Sequence, residues 1–176
     1  KYYFSLLLIL FFEISFAQRK DLSGLKICID PGHGGHNAAN DRHVIPDPGI
    51  DFWESESNFQ KALWLKPLLE TYGATVILTR NTNDYPNDDE PSLTARWTLA
   101  NSNNVNWFHS IHSNATGGNN TGTNYTLILV KEDKITRKPV SPEAVTMSSA
   151  IYKNIRSHNR TTSSGGNIQP GVYLDY

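Results

Sequence analysis

The apolar positions of this chain change period repeatedly, and each change marks an element. Leu25, Ile27 and Ile29 alternate with Lys26, Cys28 and Asp30. That period of two predicts an extended strand over Leu25–Asp30. Pro31 cannot donate to a ladder and is expected to end it. A helical stripe follows a long polar gap: Phe59, Ala62, Leu65, Leu69 and Tyr72 recur at helical spacing from a start near Phe52–Glu54. Pro67 lies within the stripe and is expected to kink or break the helix, and Gly73 to stop it. Ala74–Leu78 is a short β-rich run. Pro91 suits the first position of a second helix, with Leu93, Trp97 and Ala100 as its apolar face and Asn101–Asn104 as its end. Asn106–Ile111 and Tyr125–Val130 read as further strands. Ser141-Pro142-Glu143 is a cap and helix start, with the helix running to about Ser157. Val172-Tyr173-Leu174 opens another strand.

Strands that alternate with helices predict an α/β fold. The expectation is a single domain with a central, mostly parallel or mixed sheet and helices on both faces. The polar stretches 37–51, 81–90, 114–123 and 160–170 are rich in Asn, Gly, Pro, Asp, Ser and Thr and read as surface loops. Loops as long as 37–51 inside a compact domain are usually functional.

Composition narrows the class. The chain has 176 residues and a net charge of −1, which leaves no electrostatic footprint for nucleic acid and no polybasic membrane patch. Tyr2–Phe12 is almost wholly apolar, Lys1 precedes it, and Ser15-Phe16-Ala17 offers small residues at a cleavage site. This reads as a secretory signal peptide over residues 1–17. The mature chain, Gln18 to Tyr176, is expected to be exported to the periplasm or beyond the cell, monomeric and without stable membrane insertion. Cys28 is the single cysteine, so no intrachain disulfide or thiolate cluster can form, and its strand position suits a buried, inert thiol.

The candidate chemistry lies at strand ends. His33 stands among Gly32, Gly34 and Gly35 just past the first strand, and His112 follows the third. Open α/β sheets place ligands at such carboxyl edges. Glu54 opens the helix that returns from that edge. Two imidazoles and a carboxylate with open positions suit Zn²⁺. The blander reading is a pair of unrelated loop histidines on glycine-rich turns.

These segments resemble the zinc-dependent N-acetylmuramoyl-L-alanine amidases of the type 3 class. Ile29-Asp30-Pro31-Gly32-His33-Gly34-Gly35 is similar to that family's first zinc motif. Glu54 with Asn58 resembles its glutamate motif. Val76-Ile77-Leu78-Thr79-Arg80 resembles its Thr-Arg strand end, and Leu93, Arg96, Ala100 and Asn101 its following helix. Ser110-Ile111-His112-Ser113-Asn114-Ala115 resembles its second histidine motif. The likeness runs from about Leu25 to Val130. It implies His33, Glu54 and His112 as zinc ligands. The implied reaction is metal-assisted hydrolysis of the amide between N-acetylmuramic acid and L-alanine in peptidoglycan.

One departure stands out. The family's second glutamate, its general base, follows a later strand, and no match to it is found. The carboxylates after His112 are Glu132, Asp133, Glu143 and Asp175. The expectation is therefore a fragment whose general base lies beyond Tyr176. A C-terminal strand and helix would be missing with it, leaving a chain that binds metal without normal catalysis. Glu56 competes with Glu54 as ligand. Asp30 and Asn114 are candidates to orient the imidazoles, with turn-forming roles as the alternative. Arg80 and Arg96 could hold a stem-peptide carboxylate or form structural ion pairs. His36 and His43 read as loop residues, His109 as a packing or surface residue facing away from His112, and His158 as a helix-closing one. Competing functions are another zinc amidohydrolase or peptidase, a secreted non-catalytic peptidoglycan- or peptide-binding module, and, last, a two-carboxylate glycosidase.

Overall fold

The computed structural model describes residues 21–35, 53–83, 90–113, 125–159 and 168–175. Their order is β1 (Lys26–Pro31), α1 (Glu54–Thr71), β2 (Thr75–Leu78), α2 (Leu93–Ser102), β3 (Trp107–Ile111), β4 (Ile128–Lys131), α3 (Pro142–His158) and β5 (Val172–Asp175). This is a mixed α/β fold with parallel strands and flanking helices. The chain groups into two compact units, residues 1–37 with 58–111, and residues 38–57 with 112–176. Among the described residues no helix is long and apolar enough to cross a membrane. The predicted leader 1–17 and the last residue, Tyr176, lie outside the described residues.

In the first unit the strands pair in the order β2-β1-β3. Both pairings are parallel, with Ile27 opposite Val76 and Trp107, and Pro31 opposite Ile111. β1 is therefore the central strand, and it is buried on both faces from Ile27 to Pro31. Central strands of parallel sheets meet cover on each side. Pro31 is the last residue of β1, as its missing donor predicts. Its missing N–H costs nothing where the next amide, that of Gly32, donates to the Ile111 carbonyl at 2.9 Å. The core joins Ile27, Ile29, Ala62, Ala74, Val76 and Leu78, with Leu65 and Leu69 packed against it. Cys28 is fully buried. Burial, and then the charge of Asp30, push its thiol up to about 11.

α1 runs unbroken through Pro67, so of the expected kink or break the break is absent. Phe59 and Ala62 are buried as the stripe predicts, whereas Tyr72 at its end is exposed. Gly73 takes φ +93°, the left-handed stop expected of it. α2 begins slightly later than Pro91 suggests. Ser92 is its cap, with Oγ accepting from the Ala95 amide at 3.1 Å. Its buried residues are Arg96 and Ala100, while Leu93 and Trp97 face solvent. The apolar stripe misled here because a buried ion pair, not a hydrophobic contact, fixes this helix.

In the second unit β4 and β5 form their own parallel pair, Ile128 opposite Val172. α3 is capped by Ser141, whose Oγ accepts from the Ala144 amide. Among the described residues, Val130, Tyr152 and Val172 are the buried apolar ones of this unit. Gly171 has φ +75°, and a Cβ there would collide with the Tyr152 ring. Any side chain at 171 would displace that ring.

Candidate metal centre

β1 delivers His33 two residues past Pro31. Because Pro31 pairs with Ile111, His112, the next residue after β3, leaves the same carboxyl edge by chain connectivity alone. His33 has φ +59°, a left-handed conformation that costs a non-glycine residue about 1–2 kcal/mol. Such strain persists where the surroundings enforce it, and here they do. The carbonyl of Pro31 accepts from Arg80 Nε and Arg96 Nη1, both at 3.0 Å. That of Gly32 accepts from Asn58 Nδ2 and Arg80 Nη2, each at 3.4 Å. That of His33 accepts from Arg96 Nη2 at 2.9 Å. Three successive carbonyls are thus held by side chains that are themselves buried.

Arg96 is anchored in turn by Asp30, Nη1 to Oδ1 at 2.6 Å. Thr79 Oγ1 donates to the same oxygen at 2.5 Å and Ser110 Oγ to Oδ2 at 2.7 Å. Burial by itself raises the carboxyl pKa of Asp30. The three hydrogen bonds and the Arg96 charge outweigh it, so the net shift is downward. Asp30 thereby spends its carboxylate on Thr79, Arg96 and Ser110 rather than on orienting an imidazole. Arg80 packs its guanidinium over the Phe59 ring at 4.8 Å and reaches Asn83 Oδ1 at 2.8 Å. Both arginines donate to backbone carbonyls, and Arg96 also pairs with Asp30. Asn114, His36 and His43 lie outside the described residues.

In the second unit Glu54 is the first residue of α1, where a carboxylate suits the helix dipole. Its Oε1 accepts from the Ser113 amide at 2.7 Å and faces His112 Nδ1 at 3.2 Å. The Glu54 side chain is 5% exposed and that of His112 51%. Glu56, its rival in the sequence, is half-buried two residues along the helix. His33 in the first unit, and Glu54 and His112 in the second, are each residues able to offer a metal one ligand atom. Two imidazole nitrogens and a carboxylate oxygen are donors that zinc takes, so the residues fit the ion.

Other carboxylates are occupied. Glu132 is buried and paired with Arg137 Nε at 2.6 Å. Asp133 accepts from the Ile135 and Thr136 amides, and Glu143 accepts from Ser141 Oγ at the start of α3. Sequence reasoning overlooked Glu90. Its Oε1 lies 3.8 Å from His33 Nδ1 and 3.8 Å from Arg96 Nη2. The signal that could have found it is the pair Glu90-Pro91 directly before the Ser92 cap.

The family model for N-acetylmuramoyl-L-alanine amidases matches residues 27–174. The N-acetylmuramoyl-L-alanine amidase CwlM of Bacillus licheniformis is 36% identical over 96 residues, which are 53% of this chain and 33% of that protein. The chain thus spans about a third of the length of this curated relative. The amidase AmiC2 of Nostoc punctiforme superposes with a TM-score of 0.60 at 23% identity, over 87% of this chain and 71% of the other. The catalytic domain of the amidase CwlV of Bacillus (Paenibacillus) polymyxa does so with 0.60 at 21%, over 86% and 70%. At these identities the two structures show a shared fold.

Proposed function

This chain belongs to the N-acetylmuramoyl-L-alanine amidase family, and from that premise we propose that it is the zinc-binding portion of a peptidoglycan amidase. Its substrate is the amide between the lactyl carbonyl of N-acetylmuramic acid and L-alanine. His33, Glu54 and His112 hold the zinc. The observation that carries this reading is the contact between Glu54 and His112, a helix's first residue against the residue that follows a strand. A zinc ion there supplies Lewis acidity towards a carbonyl and lowers the pKa of water to about 7. The chain's own residues fix the donors. The Ser113 amide orients the Glu54 carboxylate, and the Arg80–Arg96 clamp orients the backbone of His33. Residues 1–17 export the chain, so it acts in the periplasm or outside the cell, as a monomer.

We assign the general base to none of Glu132, Asp133, Glu143 or Asp175. The first three have structural occupations, and Asp175 is a strand residue. The chain as given is therefore expected to bind zinc and turn over little substrate. The same occupations favour a second reading, a metal-holding module that binds peptidoglycan without hydrolysing it. Zinc content of the wild type and of His33→Ala, Glu54→Ala and His112→Ala, each checked for folding, tests the ligand set. About one zinc per chain, lost in each variant, supports it. A folded wild type without zinc sinks it. Rapid release of stem peptides from muropeptides by this chain would overturn the assignment of the base.

A further inference from the structure

We propose that Glu90 is a positioning residue for His33: its carboxylate faces Nδ1, favours the proton on that nitrogen and so leaves Nε2 for the metal. This rests on the zinc reading above. Ligating histidines usually donate their second ring N–H to a carboxylate or carbonyl, which fixes tautomer and orientation. Glu90 Oε1 lies 3.8 Å from His33 Nδ1. That is ion-pair reach, longer than a hydrogen bond. At that distance the carboxylate's charge favours the tautomer with the proton on the nearer nitrogen, Nδ1.

Three features hold Glu90 where this requires it. Pro91 restricts the backbone of Glu90 to extended conformations. The Pro91 carbonyl accepts from Arg96 Nε at 2.9 Å, so the arginine that clamps the His33 carbonyl also moors the segment bearing Glu90. Arg96 Nη2 lies 3.8 Å from Glu90 Oε1 as well and attracts the carboxylate electrostatically. Gly34 leaves room for the approach, because a Cβ there would sit 3.2 Å from Glu90 Cα and 3.4 Å from Pro91 Cδ. Both atoms belong to a tethered segment that cannot yield as a flexible side-chain end would. Gly34 is thus read as the residue that lets 90–91 lie against the histidine loop.

The test compares wild type and Glu90→Gln by zinc affinity, in competition with a chelator, and by ¹⁵N NMR of the His33 ring in the metal-free chain. Expected are an affinity loss of about 10- to 100-fold, an unchanged unfolding midpoint, and a His33 ring protonated on Nδ1 in the wild type but redistributed towards Nε2 in the variant. Gly34→Ala is expected to weaken zinc in the same direction. Equal zinc affinity and an equal tautomer in wild type and Glu90→Gln would overturn the proposal while leaving the zinc reading intact. A wild type that takes up no zinc would overturn both. A purely structural role for Glu90 would lower the midpoint without moving the tautomer, and that too would overturn it.

Discussion

Around His33 three consecutive backbone carbonyls are each taken by buried side chains, and two of those side chains are arginines. Around His112 the arrangement is sparse: a half-exposed imidazole, one buried carboxylate and one backbone amide. The first histidine is positioned through its backbone, by groups that also hold the core together. The second is positioned through its side chain, by a group that is itself a candidate ligand. Damage to the first region should therefore cost stability before it costs metal, and damage to the second should cost metal alone.

The largest effect that separates the two is expected from Arg96→Ala. Arg96 donates to Pro91, Asp30, Pro31 and His33, and its loss leaves Asp30 as a buried, uncompensated carboxylate. Breaking such a pair costs about 3–5 kcal/mol, read as a lowered urea midpoint. Arg96→Lys should recover only a minor part, since an ammonium has three donors and no planar fork. A midpoint near wild type in Arg96→Ala would show that the loop does not depend on its clamp.

The complementary break is Glu54→Gln. The amide oxygen still accepts from Ser113, so the urea midpoint should stay near that of the wild type. A charged zinc donor is lost, so affinity should fall by more than the roughly 100-fold that outer-sphere changes cost. A large stability loss with zinc retained would erase the contrast between the regions. Asp30→Asn sharpens it by pH. The folded carboxyl is held below its ordinary 3.8, so the unfolded chain takes up the proton first. Its stabilising contribution is complete above that value and is lost as pH falls through the folded pKa. Asp30→Asn should be less stable at neutral pH, and the gap to the wild type should narrow on acidification.

Motif and period carried much of this in advance. The β1, α1, β2, α2 and β3 order, the strand-end positions of His33 and His112, and Glu54 at the head of α1 are legible because glycine, histidine and apolar spacing are local signals. The clamp is not local. Arg80, Arg96 and Asn58 come from three separate parts of the chain to the same three carbonyls, and nothing in their own neighbourhoods announces it. The face of α2 was misjudged for the same reason, since Leu93 and Trp97 look buried until Arg96 is seen to occupy that side. Glu90 sits outside every motif and becomes visible only as a distance.

The smallest expected effect separates folding from metal binding along one strand. His109 lies on β3 opposite Ile29, three residues before His112, and burial lowers its pKa from the ordinary 6.5. The folded state therefore favours the neutral ring. As pH falls below about 6.5 the unfolded chain gains the proton first, so stability declines until the folded ring is also protonated. In His109→Phe this part of the slope should vanish from the metal-free chain, read as the urea midpoint between about pH 7.5 and 5. Metal must be absent because ligand imidazoles release zinc as they protonate in the same range. At neutral pH His109→Phe should leave zinc content unchanged, whereas His112→Ala should abolish it. Loss of zinc from both would mean that β3 transmits packing at His109 to the metal site, and the two histidines could no longer be treated as serving separate ends.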